Sequence, residues 1–373
     1  MRKRKMKNLG TAGYKLLTPG PLTTTETVKE VMLFDHCTWD DDYKEITQKI
    51  RRDLLKLAQV EETEYTTVLM QGSGSFGVES VLGSVVPKDG CVLLLSNGAY
   101  GERAAKMCSY YEIPCIHVKQ DYNKTPDANE AEELLKTHPE ITHIMMIHSE
   151  TTSGILNDIE SIGKLAEAYG KVFIVDAMSS FAGVEIPVKD WYIDFLISSA
   201  NKCIQGVPGF SFIIANRVLL MESKGRARSL CLDLYDQWAG MEKDGKWRYT
   251  SPTHVVLAFE QAMKELEQEG GIKARHARYQ KNMDTLVENF ENLGFRLYVD
   301  KAWQGPIIAT FLYPEGKHFD FQEMYAYIKE RGYAIYPGKL TDADTFRIGM
   351  IGEIYEEDVL RLTEIMKSYM EQA

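Results

Sequence analysis

Two residues of this chain combine a reactive side chain with a setting that could use it. Lys202 lies in Ser199-Ala200-Asn201-Lys202-Cys203-Ile204-Gln205-Gly206-Val207-Pro208-Gly209, directly after the apolar run Ile193 to Ile197. Asp176 closes the run before it, Val172-Phe173-Ile174-Val175-Asp176. A lysine amine condenses with an aldehyde to form an imine, and a carboxylate beneath a pyridine nitrogen keeps that ring protonated and electron-withdrawing. A lysine after one buried strand and an acid ending the strand before it form the arrangement that pyridoxal phosphate (PLP) chemistry requires.

Other motifs can be weighed against that chemistry. Gln71-Gly72-Ser73-Gly74-Ser75-Phe76-Gly77 follows a strand-like run and opens a helix, so its amides can face an anion at the helix N-terminus. Its G-x-G-x-x-G spacing would also suit a dinucleotide, but the next strand ends Leu95-Ser96-Asn97-Gly98 without the acid that would hold a ribose. No Lys-Ser or Lys-Thr follows the glycines, which excludes a P-loop. A compact phosphate cup built on Ser73, Gly74 and Ser75 remains.

Tyr100, in Asn97-Gly98-Ala99-Tyr100, follows a strand and belongs at the carboxyl edge of the sheet, where it can stack on a flat ring or simply pack. His148-Ser149-Glu150-Thr151-Thr152 ends another strand at that edge and offers hydroxyls, while His148 itself reads as a structural histidine. Arg347 stands inside the apolar strand Thr345 to Gly349; its fork suits either an ion pair or a substrate anion.

Short β-branched runs alternate with helix-like segments from about residue 66 to 215, the pattern of a mainly parallel sheet covered on both faces. Seven strands are expected: Thr66–Met70, Cys91–Leu95, Cys115–Val118, Ile144–His148, Val172–Asp176, Ile193–Ile197 and Phe210–Ala215. Beyond residue 253 two long helices, broken at Gly270-Gly271, lead into a smaller α+β domain. Met241 to Gly245 reads as the most linker-like stretch. The expected organisation is an N-terminal segment (1–30) packed near the site and the small domain, a large domain (31–260) and a small C-terminal domain (261–373).

The 373 residues carry 54 acidic and 43 basic side chains, a net charge of −11 that argues against a nucleic-acid-binding surface and leaves any anion site to be built locally. The basic start Met1 to Lys7 is not followed by an unbroken apolar run, and no run approaches membrane-spanning length, so the expected location is the cytoplasm without a membrane partner. Six cysteines without zinc-type spacing read as reduced thiols, and no metal is expected.

Together these residues make the chain resemble fold-type I PLP-dependent transferases, in the alanine–glyoxylate and serine–pyruvate aminotransferase branch. Within it, Leu17-Thr18-Pro19-Gly20-Pro21-Leu22-Thr23, Asp35-His36-Cys37-Thr38-Trp39-Asp40-Asp41-Asp42-Tyr43 and Ser199 to Phe210 are similar to the motifs of aminotransferases acting on 2-aminoethylphosphonate and pyruvate. The resemblance implies that Lys202 and Asp176 are catalytic. It places Ser73, Gly74, Ser75, Tyr100, Thr152 and Thr250 at PLP, and Arg347 at the substrate anion. Thr250 would reach the PLP phosphate of a neighbouring subunit, implying a homodimer; Trp247 stands where relatives have a tyrosine. The implied reaction gives phosphonoacetaldehyde and L-alanine. Glyoxylate- or serine-linked transamination, a lyase or desulfurase, and a non-catalytic binding protein are the alternatives.

Overall fold

The computed structural model describes residues 13–314, 319–338, 340 and 343–372. The basic start Met1 to Lys7 lies outside them. Seven strands form the main sheet: β1 (Tyr65–Gln71), β2 (Cys91–Ser96), β3 (Cys115–Lys119), β4 (Ile141–Ile147), β5 (Val172–Asp176), β6 (Phe195–Ser199) and β7 (Phe210–Asn216). Their order is β1-β7-β6-β5-β4-β2-β3, and β7 alone runs antiparallel to its neighbours.

The near-continuous apolar strands follow from burial on both faces. Side chains alternate across a strand, so Leu93, Leu95, Ile144, Met146, Phe173 and Val175 enter one core. Their neighbours Val92, Leu94, Met145, Ile147 and Ile174 enter the core on the other face.

The lysine-bearing strand starts two residues later than Ile193. The Asp194 amide bonds the Phe173 carbonyl, its carboxylate accepts the Phe173 amide at 3.0 Å, and paired residues of β6 begin at Phe195. Met241 to Gly245 is not a linker. Its first four residues end the helix Leu234–Asp244, and Gly245 caps that helix in the left-handed region at φ 81°. Met241 is buried in the first core, and Gln48 bonds the carbonyls of Met241 and Gly245.

Helices Thr253–Glu269 and Gly271–Asn292 meet at Gly270 and Gly271, both at positive φ. The first helix packs Ala262, Met263 and Leu266 into the large core, so residue 261 falls inside an element of that core. The second contributes Met283, Leu286 and Phe290 to a separate core with Phe311, Phe346 and Leu362. Four strands support this smaller core in an antiparallel sheet: β8 (Arg296–Leu297), β9 (Ile308–Leu312), β10 (Tyr336–Pro337) and β11 (Thr345–Gly349), ordered β8-β9-β11-β10.

The N-terminal segment is tied to the second core before it crosses to the first. Lys15–Leu16 pairs in parallel with Tyr333–Ala334, Leu17 is fully buried, and its carbonyl accepts the Gly349 amide. A Cβ on Gly349 would overlap the Thr18 backbone, so this close crossing requires glycine. Gly349→Ala should therefore cost about 1–3 kcal/mol by overpacking and expose residues 15–25 to proteolysis. Gly13→Ala, with nothing within 4 Å of the added carbon, should stay within about 0.5 kcal/mol. Equal denaturant midpoints for the two variants would refute this account.

Candidate active site

The carboxyl ends of the parallel strands converge on one cleft, where open α/β sheets bind ligands. Its walls include Ser73, Gly74 and Ser75 after β1, Tyr100 after β2, Ser149 after β4, Asp176 at the end of β5, and Lys202 after β6. The reversed direction of β7 draws these parts together. The loop after Lys202 returns so that Phe210 pairs with Gln71 and the Gly209 carbonyl accepts the Gly72 amide at 3.0 Å. The glycine-rich turn and the lysine loop thereby become neighbours.

Gly72, at φ 107°, makes the turn into helix Gly74–Val85, and a Cβ on Gly74 would overlap Met178 in the cleft wall. Ser73 precedes the helix and makes no side-chain capping bond, while the first turn holds no acidic residue. Amides and hydroxyls are thus presented at a helix N-terminus with no negative charge in its first turn, a setting suited to a phosphate.

Asp176 is 6% exposed and accepts the Met178 amide at 2.9 Å. Burial pushes its carboxyl up to about 6; nearby Glu150 adds to the rise, while the Met178 amide, Lys202 and Arg103 oppose it. A cationic ring nitrogen placed against Asp176 would favour the ionised form. Lys202 is half-buried, and its Nζ donates to the Pro19 carbonyl at 2.6 Å. Gly20, at φ 106°, lies so close that a Cβ would press on Lys202 Cδ and the Asn201 carbonyl. The N-terminal segment therefore forms a wall of the site beside the amine.

Three of the anticipated residues are placed differently from the cleft lining. Thr152 is fully buried: its hydroxyl donates to Glu150 at 2.6 Å and accepts the Ala99 amide, while Ser149 of the same segment faces the cleft. Arg347, 4% exposed, donates from Nε to the Pro337 carbonyl and from Nη1 to the Thr151 carbonyl. It thus stands beside the site, joining β11 to the loop after β4. Thr250 is exposed, and its carbonyl accepts the Gln71 side chain at 3.1 Å.

Cys203, next to the lysine, is fully buried, donates to the Ser179 carbonyl, and has its thiol pushed up to about 12 by burial, which makes it a poor nucleophile. His148 is buried in neutral form, with its pKa pushed down to about 3. Sequence reading overlooked Arg103, which lines the cleft one helical turn beyond Tyr100; that i, i+3 spacing was the available signal.

The family model for class-V aminotransferases matches residues 36–362. A 2-aminoethylphosphonate–pyruvate transaminase of Lysinibacillus sphaericus is 55% identical over 359 residues, covering 96% of this chain and 98% of the relative. One from Bacillus cytotoxicus is 56% identical over 352 residues, covering 94% and 96%. Among solved structures, an alanine–glyoxylate aminotransferase of Nostoc sp. superposes with a TM-score of 0.89 at 23% identity, covering 98% of this chain and 97% of its own. A pyridoxamine–pyruvate aminotransferase of Mesorhizobium loti reaches 0.87 at 22% identity, covering 97% and 94%. These two show the fold, the fold-type I architecture expected from the motifs. The sequence match spans the phosphate-type turn, the buried acid, the lysine loop and the Arg347 strand in one run, so the chain belongs to the class-V aminotransferases.

Proposed function

We propose that this aminotransferase moves the amino group of 2-aminoethylphosphonate to pyruvate, giving phosphonoacetaldehyde and L-alanine, with PLP held in the cleft between Asp176, Lys202 and the Ser73–Ser75 turn. The observation that carries the substrate reading is identity of 55% with a relative of that name across nearly the whole of both chains. PLP supplies an aldehyde that takes up the substrate nitrogen and a cationic ring that withdraws electrons from the adjacent carbon.

The chain's own residues supply the rest. The Ser73 and Ser75 hydroxyls and the helix N-terminus would bind the phosphate, Tyr100 would stack on the ring, and Asp176 would hold the ring nitrogen protonated. Lys202 Nζ, leaving the Pro19 carbonyl, would take the proton from the amine-bearing carbon of the substrate and deliver it to the cofactor carbon that carries the nitrogen. Thr152, its hydroxyl engaged by Glu150 and the Ala99 amide, would act indirectly, by holding the segment that presents Ser149 to the cleft. Arg347 recognises the phosphonate or carboxylate, with the anion replacing a backbone carbonyl as its partner. A homodimer in the cytoplasm is part of the proposal; Thr250, exposed in the single chain, reaches the neighbouring subunit's phosphate site.

The substrate assignment is tested by mixing the PLP-loaded protein with single amino donors and following bleaching of its absorbance in one turnover. 2-Aminoethylphosphonate should react fastest. Its phosphonate lies one carbon beyond the amine-bearing carbon, and misplacement of reacting atoms is costly. Faster bleaching by serine or glutamate would defeat the assignment while leaving transamination intact.

Asp176 yields a second expectation with a defined sign. Its pKa rises from 3.8 to about 6 on folding, so the ionised carboxylate weakens the apoprotein above pH 6, and the cost fades as pH falls toward 4. Asp176→Asn should raise the apoprotein Tm at pH 7.5 by more than at pH 4.5, and lower turnover on the order of a hundredfold. A variant less stable than the parent at pH 7.5, or one of near-normal turnover, would contradict the role.

The shared site is tested by mixing Thr250→Ala and Lys202→Ala subunits. Each mixed dimer would hold one site carrying both lesions and one carrying neither, so activity should reappear after subunit exchange. Exchange without recovery would place Thr250 at its own chain's site.

A further inference from the structure

The charged side chains lining the cleft are Asp176, Lys202 and Arg103. Lys202 must give up its charge to react, which leaves Arg103 as the permanent cation among the described residues of the lining. Arg103 extends from the helix Ala99–Tyr110, one turn after Tyr100. Its Nη1 donates to the Ser75 hydroxyl at 3.0 Å, and its guanidinium lies 5.1 Å from the Tyr100 ring centre. No carboxylate lies within ion-pairing distance of it among the described residues. A guanidinium without an acid partner, stacked on the aromatic wall and bonded to a hydroxyl at a helix N-terminus, is prepared for an anion.

We infer that Arg103 is a further phosphate-binding residue of the cofactor site, acting with Ser75 on the phosphate group rather than on the ring. The inference rests on the proposal that PLP occupies this cleft. In that role Ser75 Oγ accepts from Arg103 while donating its own proton to a phosphate oxygen, and the rest of the fork faces the dianion. Tyr100 restrains the guanidinium on one side, so less side-chain freedom is lost on binding. The helix N-terminus by itself supplies only a partial positive charge, whereas Arg103 brings a full one.

The test compares PLP with pyridoxal, which keeps the aldehyde and ring but lacks the phosphate. Apoprotein is titrated with each, and the dissociation constant is read from the absorbance that develops at the lysine. Arg103→Met retains much of the apolar stem, and Arg103 is exposed, so the apoprotein Tm should change little. PLP affinity should fall about ten- to a hundredfold, as expected for losing a charge-assisted hydrogen bond, while pyridoxal affinity changes less than about twofold. Arg103→Lys should recover part of the PLP loss, because charge returns without the planar fork. Inorganic phosphate should compete with PLP more weakly in Arg103→Met than in the parent. Equal losses for PLP and pyridoxal, or unchanged PLP affinity, would overturn the inference. Failure of the parent apoprotein to take up either compound would overturn the cofactor proposal and this inference with it.

Discussion

A carboxylate held in an apolar interior is the constraint around which this site is organised. Asp176 ends a strand whose residues Phe173, Ile174 and Val175 are fully buried, and its carboxylate accepts the Met178 amide. Its pKa near 6 corresponds to a cost on the order of 3 kcal/mol at neutral pH relative to an ordinary aspartate. A fold that needed Asp176 only for packing would gain by replacing it with an uncharged residue. A site that must stabilise positive charge on a ligand gains from keeping it, because the same low-dielectric surroundings that penalise the lone anion strengthen its attraction to a cation.

The other charges of the cleft rest on neutral partners close to that point. Lys202 is held on the Pro19 carbonyl, and Arg103 on the Ser75 hydroxyl. Both temper the Asp176 pKa. The N-terminal segment achieves part of this by crossing from the small core to the lysine. Its strand pairs with Tyr333–Ala334, the Leu17 carbonyl is anchored to Gly349, and Pro19 then presents its carbonyl to the amine. A segment remote from Lys202 in sequence thus sets the amine's resting position.

The sheet was legible because period-two burial on two faces leaves a strong pattern, and all seven strands fall within three residues of their apolar runs. The shift at Ile193 shows the limit: the Asp194 side chain takes the Phe173 amide, a tertiary event that hydrophobicity does not encode. Met241 to Gly245 looked like a linker because it is polar and ends in glycine. Burial of Met241 and two bonds from Gln48 made it the end of a helix. Within the site, Lys202, Asp176, Tyr100 and the Ser73–Ser75 turn were legible because each directly follows or ends a strand. Arg103 was not, since it becomes part of the site only when helix Ala99–Tyr110 is set against the turn at Ser75. The engagement of the Thr152 hydroxyl by Glu150 was equally hidden, although the two residues are close in sequence.

In its proposed role, Arg347 would connect substrate recognition to the contact between the smaller core and the loop after β4. Its strand belongs to the small core, yet its Nη1 bonds the Thr151 carbonyl of the large domain, and its Nε bonds Pro337 on the neighbouring small-domain strand. A neutral carbonyl satisfies one donor of a guanidinium but supplies no opposite charge, and burial lowers the Arg347 pKa, with Tyr100, Tyr336 and Glu150 opposing that shift. A carboxylate or phosphonate exchanged for the carbonyl would supply both hydrogen bonds and charge. The same exchange would release a link between the domains. In that role anion recognition and the contact between the two cores would draw on the same guanidinium, and charge alone does not distinguish a phosphonate from a carboxylate. Discrimination must come from where the anion sits relative to Lys202 Nζ once both domains are in contact with it.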